Sequence, residues 1–229
     1  MFFKKIIIIL FLLISFIGIF YIYNNNSTKI YFPIKTIAHT EIKNANKENI
    51  LEYSKKYLSN KSFFNFNIDT LKKELEKFEW VNSVSIRRVW PSEVKLSIEE
   101  HEPLAIWNNI SYLNSNGKIF FVKDVSKNLP RLNSKNNRSE ALFRYFSFFS
   151  KGLLKNKINE KIIKISENDI RSLSILLSSG ITVSFGSKNI NDKMKIFFKS
   201  YKKILNTSDL KKIRYIDMRY SNGFSIGWK

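Results

Sequence analysis

Two histidines, His39 and His101, are the only imidazoles in this chain of 229 residues, and there is no cysteine. His101 stands in the run Glu99-Glu100-His101-Glu102, and a histidine among carboxylates can bind a metal or shuttle a proton. The run lacks the HExxH spacing that sets two imidazoles on one helix face, and a solvated linker is the plainer reading. His39 has no acidic or nucleophilic neighbour. Without cysteine, disulfides, thiol catalysis and thiolate metal sites are excluded together. The sequence contains no GxGxxG or GxxxxGK(S/T) pattern, and its 7 glycines leave little for phosphate-cradling loops. Paired carboxylates remain as a route to hydrolysis, for instance of a glycosidic bond in the cell wall. The acids do not gather in an apolar segment that would raise one of their pKa values. The chain reads as a binding protein rather than an enzyme, with no cofactor and no metal.

The formal charge of +20 suggests anionic partners, yet the lysines are scattered instead of forming one stripe, which argues against nucleic acid. Attraction to anionic surfaces is consistent with it. The N-terminus, MFFKKIIIILFLLISFIGIFYIY, sets Lys4 and Lys5 before an apolar run over 6–23 interrupted only by Ser15 and Gly18. That run is long enough to cross a hydrocarbon core of about 30 Å as a helix. A cleaved secretory signal has a shorter apolar core and a small-x-small exit, whereas Tyr21, Ile22, Tyr23 and three asparagines follow here. The expectation is a retained anchor. The lysine pair predicts a cytoplasmic start over 1–5 and everything after the span outside, which is the periplasm where an outer membrane exists.

The elements behind the anchor follow from periodicity. Residues 24–30 read as a polar linker, and YFPIKTIAHTEI as a first strand. Ile50, Tyr53, Ser54, Tyr57 and Leu58 recur at helical spacing, as do Ile68, Leu71, Leu75 and Phe78, with Asn67 or Asp69 as the cap of the second helix. The period then changes to two: Val84 and Ile86, and later Val94, Leu96 and Ile98, alternate with polar residues. Pro91 has no amide hydrogen and belongs in the connection between these two strands. Strand, helix, helix, strand, strand makes a small α+β module over 31–100. From 101 to 229 strands dominate. Asn116-Gly117 suits a type I′ hairpin, and Ser178-Ser179-Gly180 marks a second. EALFRYFSFFSKGLL reads as a helix. Another starts at Asn191 or Asp192 and lines up Met194, Phe197, Tyr201 and Ile204. A strand, a turn or bulge at Asn222-Gly223 and a last short strand close the chain. An exposed edge there would offer unpaired amides and carbonyls to a partner strand. Arg219 could pair with a carboxylate. For Tyr220, Phe224 and Trp228 the pattern alone leaves closing the core and serving as interface anchors as equal readings.

The stretch EWVNSVSIRRVWPSEVKLSIEEHEPLAIWN, residues 79 to 108, resembles the hairpin and domain junction of the FtsQ/DivIB family of bacterial cell-division proteins. IRYIDMRYSNGFSIGWK looks like that family's C-terminal strand pair, with its D-x-R-Y, the following glycine and the Gly-Trp in place. The likeness covers nearly the whole chain. It implies a POTRA domain over 31–100 and a β-rich domain with flanking helices over 101–229. It also implies a single-pass inner-membrane scaffold without enzymatic activity, located at the division septum. Its implied partners are FtsB and FtsL, with FtsW and FtsI as the synthases of septal peptidoglycan whose control it assists. In the family FtsB adds a strand and acidic contacts at the C-terminal strand. The matching positions are Arg219, Tyr220, Asn222, Gly223 and Trp228. Trp90 and Pro91 in the hairpin and Trp107 at the junction are expected to be architectural. An arginine that helps hold the partner in some relatives aligns with Ile170, beside Arg171. Relatives often have a longer cytoplasmic start and residues beyond the Gly-Trp. The other class that uses POTRA modules, envelope assembly or secretion, expects many further strands and a cleaved signal.

Overall fold

A computed structural model describes residues 12–21, 32–123, 125, 128–207, 212–220 and 223–229. Residues 12–21 form a helix, α1, whose apolar side chains are exposed, Phe16 at 71% among them. Among the described residues no helix is long and apolar enough to cross a membrane. The expected span, 6–23, runs past the described residues at both ends, and the cytoplasmic start and the 24–30 linker lie outside them. The chain divides into two compact units, Met1–Phe78 with Ser83–Glu99, and Glu79–Asn82 with Glu100–Lys229.

In the first unit β1 (Thr36–His39), α2 (Lys47–Leu58), α3 (Ile68–Leu75), β2 (Val81–Val89) and β3 (Glu93–Glu100) follow one another. The strands stand in the order β1-β3-β2, with β1 parallel to β3. Each helix begins where an asparagine satisfies an orphan amide: Asn46 Oδ1 accepts from the Asn49 amide and Asn67 Oδ1 from that of Thr70, both at 3.0 Å. Asn67, not Asp69, is therefore the cap of α3. This helix ends at Leu75, and Phe78, expected to continue its face, instead packs edge-on to Tyr53 at 6.4 Å. Ile50, Leu58, Leu71 and Leu75 from the helices meet Val84, Val94, Leu96 and Ile98 from the sheet in a buried core. Each such burial is worth about 1.5–3 kcal/mol.

The second unit is a sheet of nine strands in the order β12-β11-β10-β9-β8-β7-β4-β5-β6. These are β4 (Pro103–Trp107), β5 (Ser111–Asn114), β6 (Ile119–Phe120), β7 (Arg131–Ser134), β8 (Ile162–Glu167), β9 (Leu173–Leu177), β10 (Thr182–Gly186), β11 (Ile213–Asp217) and β12 (Ser225–Trp228). Pro103–Trp107, which the resemblance set in the domain junction, is thus a strand inside the sheet. Two hairpins appear where glycine marked them, but with another turn. At Gly117 (φ 78°) and Gly180 (φ 86°) only the glycine is left-handed, and its amide donates to the carbonyl three residues back, of Asn114 and Leu177. This is the three-residue loop with a glycine bulge, so the type I′ expectation at Asn116-Gly117 fails, because Asn116 keeps a negative φ.

The two long helices, α4 (Ser139–Lys155) and α5 (Ile190–Thr207), are crossovers. β7 is parallel to β8 and β10 to β11, and a parallel pair cannot be joined by a tight turn. Both crossovers step the same way along the sheet from strands that point the same way, so the right-handed rule sets both helices on one face. There Leu142, Phe149, Leu153, Met194, Phe197, Phe198 and Tyr201 meet Ile165, Ile175, Val183, Phe185 and Ile216. The start of α5 falls at Ile190, just before the expected Asn191 or Asp192, and follows Asn189 in a left-handed conformation (φ 53°). The Ile204 side chain is outside what the structure describes.

Candidate functional site: the edge at β11 and β12

β12 is the outermost strand, held to β11 antiparallel in the register Asp217↔Ser225, Ile216↔Ile226 and Tyr215↔Gly227. One side of β12 is paired, and among the described residues no strand pairs with the other, which is an open sheet edge. Its register shifts between the pairs Tyr215↔Gly227 and Ile213↔Trp228, so Trp228 departs from the face of the residues two and four before it. Ile226, and Phe224 just before the strand, pack against the core, while Trp228 is 52% exposed. The equal readings are therefore resolved residue by residue: Phe224 closes the core, and Tyr220 and Trp228 face solvent.

Arg219 sits two residues past the last registered pair of β11 and is clamped to Asp217. Its Nη2 donates to Oδ2 at 2.7 Å, its Nε to Oδ1 at 2.9 Å, and its own amide to Oδ1 at 2.9 Å. The hydrogen bond from Arg219, joined by its charge, holds the Asp217 carboxyl below the usual carboxylate range. Lys193 of α5 adds a tether, donating through Nζ to the carbonyls of Phe185 and Arg219, both at 3.1 Å. Arg219 is therefore held from two sides. Asn222 lies outside the described residues. Gly223 is exposed, and a Cβ added there would meet open space, so nothing in its packing demands a glycine.

Two contributors escaped the sequence reading. The Tyr215 ring lies over Gly227, where any β-carbon would collide with it, so this glycine is required by close cross-strand packing. Tyr215 is itself 44% exposed and joins Tyr220 and Trp228 as the exposed aromatics of this edge. Its alternation with the buried Ile216 was the signal available. Between Lys212 and Lys229 the side-chain charges are Lys212, Arg214, Arg219 and Lys229 against the one acid Asp217, already paired. The rim is basic.

The sheet face opposite the helices is unlike this edge. In register across it run Asp217, Ser184, Ser174, Ser166 and Asn133, small polar groups without an apolar anchor. The other candidate residues lie away from this edge. His101 is buried, stacked on Phe120 at 4.2 Å, with its Nδ1 3.1 Å from Asn114 Nδ2. His39 Nδ1 lies 2.7 Å from the Thr40 carbonyl oxygen. Trp107 is in the core of the second unit at 3% exposure, and Trp90 is 61% exposed beside Pro91. Ile170 is exposed and Arg171 has a left-handed backbone (φ 60°) in the turn between β8 and β9. Glu160 is a polar knot under α5. Burial alone would raise its pKa, but hydrogen bonds from Ser178, Ser179 and Tyr201 outweigh that and lower it. Burial and the same carboxylate push the Tyr201 hydroxyl far above its ordinary value. Among the described residues no group of three or more His, Asp or Glu is placed to hold a metal.

Two family models match. Residues 32–101 match the POTRA domain of FtsQ type, and residues 105–219 match the C-terminal domain of cell division protein FtsQ/DivIB. The chain belongs to the FtsQ/DivIB family of cell-division proteins. It is 31% identical over 169 residues to cell division protein FtsQ of Coxiella burnetii, an alignment covering 73% of this chain and 68% of that one. It is 26% identical over 169 residues to FtsQ of Vibrio cholerae, covering 73% and 64%. Against FtsQ of Neisseria gonorrhoeae it is 22% identical over 224 residues, covering 97% and 89%. The match to the FtsQ/DivIB domain stops at Arg219, so β12 and its aromatics lie just beyond it.

Proposed function

We propose that this chain is a non-catalytic scaffold of the division machinery, anchored by residues 6–23 in the inner membrane with its two units in the periplasm. It grips a partner by strand addition along the free side of β12. The supporting observation is one open edge carrying Tyr220, Trp228 and Tyr215 exposed and a basic rim fixed by Arg219 and Asp217. A partner strand would complete the edge's hydrogen bonds, its apolar side chains would cover the rings, and its acids would meet the rim. By family resemblance that partner is FtsB, bound together with FtsL, and the complex helps control septal peptidoglycan synthesis by FtsW and FtsI. By the same resemblance Asn222 and Gly223 belong with Arg219, Tyr220 and Trp228 to the partner-binding positions, and Trp90, Pro91 and Trp107 help build the hairpin and junction. Domain limits of 31–100 and 101–229 go with this reading.

The test is capture of the periplasmic segment of FtsB by the full chain in detergent, wild type against Tyr220→Ala and Trp228→Ala. Truncating an interface anchor costs about 2 kcal/mol, roughly a 30-fold loss of affinity. Both side chains are exposed, so thermal unfolding should stay where it is. Failure of the wild type to bind, or full binding by both variants, contradicts the reading.

A further inference from the structure

The first unit carries an aromatic cluster that neither its core nor the β12 edge uses. Phe32, Phe64 and Trp90 are 49%, 63% and 61% exposed, and they gather around the buried Phe63. The Trp90 ring lies 5.4 Å from Phe32, 5.7 Å from Phe63 and 6.1 Å from Phe64. The cluster is held in place. Phe32 adopts a left-handed backbone (φ 56°), uncommon for a bulky residue, and its carbonyl accepts the Phe63 amide at 2.8 Å. Three distant segments are thereby locked into one exposed aromatic surface.

Its place along the chain says what covers it. Phe32 stands only nine residues after Tyr23, the end of the apolar run. Nine residues reach at most about 30 Å when extended and about 15–18 Å as a coil. The segments that build the cluster, 32–36, 61–64 and 87–93, carry Lys35, Lys61, Arg87 and Arg88 against the single acid Glu93. Exposed tryptophan and phenylalanine among basic residues is the composition of the membrane–water interface, where rings enter the headgroup layer and cations meet anionic lipid.

We propose that the Phe32, Phe64 and Trp90 face rests on the outer leaflet of the membrane that holds the chain's own apolar run. This rests on the reading of 6–23 as a span. The docked face would orient the first unit on the lipid surface and limit how freely the periplasmic part swings.

The full chain is reconstituted in vesicles of phosphatidylethanolamine and phosphatidylglycerol, with and without lipids brominated high on the acyl chain. Tryptophan emission is compared for wild type and Trp90→Phe. The expected result is quenching of the wild type, with more than half of it lost in Trp90→Phe. Phe32→Ser with Phe64→Ser should shift the remaining Trp90 emission toward that of tryptophan in water. Alkaline carbonate extraction of the same vesicles separates the two failures. A retained chain whose quenching is absent, or is unchanged in Trp90→Phe, overturns the docking and leaves the face for a protein partner or water. A chain released by carbonate overturns the span, and the docking falls with it.

Discussion

Replacing Gly227 by alanine puts a number on the packing that builds the edge strand. The new β-carbon collides with the Tyr215 ring, which must swing off β12 into solvent. A cross-strand aromatic pair is worth up to about 1 kcal/mol, and overfilling a packed position costs about 1–3 kcal/mol. Tyr215 is already 44% exposed and has somewhere to go, so the lower part of that range applies. A net loss of about 1–2 kcal/mol in local stability makes β12 amides exchange about 5- to 30-fold faster. Hydrogen exchange on the full chain in detergent reads this at residues 225–228, with β7 to β9 unchanged. In a Tyr215→Ala background the collision is gone, and alanine in place of glycine should be neutral or slightly protective. Equal acceleration in both backgrounds would refute the account of Gly227 as a glycine demanded by Tyr215.

Phe149 is fully buried among Phe185, Phe197 and Phe198, so Phe149→Ala should cost about 3–5 kcal/mol and lower the thermal midpoint of the second unit while leaving that of the first. An unshifted midpoint would mean the aromatic cluster is not what joins α4 to α5. Acid should weaken the same unit. Asp217, through the Arg219 hydrogen bond, and Glu160, through its bonds outweighing burial, have folded pKa values below their ordinary ones. Their stabilisation is therefore complete above the unfolded values, about pH 4, and is lost as pH falls through the depressed folded values. Thermal midpoints flat from pH 7 to about 5 and falling below about 4 are expected, and a rise below 4 would contradict the sign.

The first unit was legible because each of its elements buries one stripe at a clean period: Leu71 and Leu75 at helical spacing, Val94, Leu96 and Ile98 at two. The large sheet was legible only in its hairpins and long helices. β7 has one apolar residue, Leu132, and β8 sets Ile162 beside Ile163, so neither shows alternation although both lie mid-sheet. Parallel pairing, which makes α4 and α5 crossovers, is a long-range choice that no local window carries. At the edge, the sequence singled out Arg219, Tyr220 and Trp228 by residue type, with core and interface left as equal readings for the two aromatics until the family resemblance favoured the interface. It did not reveal that Asp217 occupies the arginine or that Tyr215 covers Gly227, because both facts belong to strand register.

The most direct test of strand addition is hydrogen exchange across β12 in the full chain before and after the FtsB periplasmic segment is added at saturation. Amides of residues 225–228 on the free side should slow by at least about 10-fold, the equivalent of about 1.4 kcal/mol, while those of β6 at the opposite edge stay as they were. Saturated binding with β12 exchange unchanged would show that the partner is held somewhere else, and the central claim would be wrong.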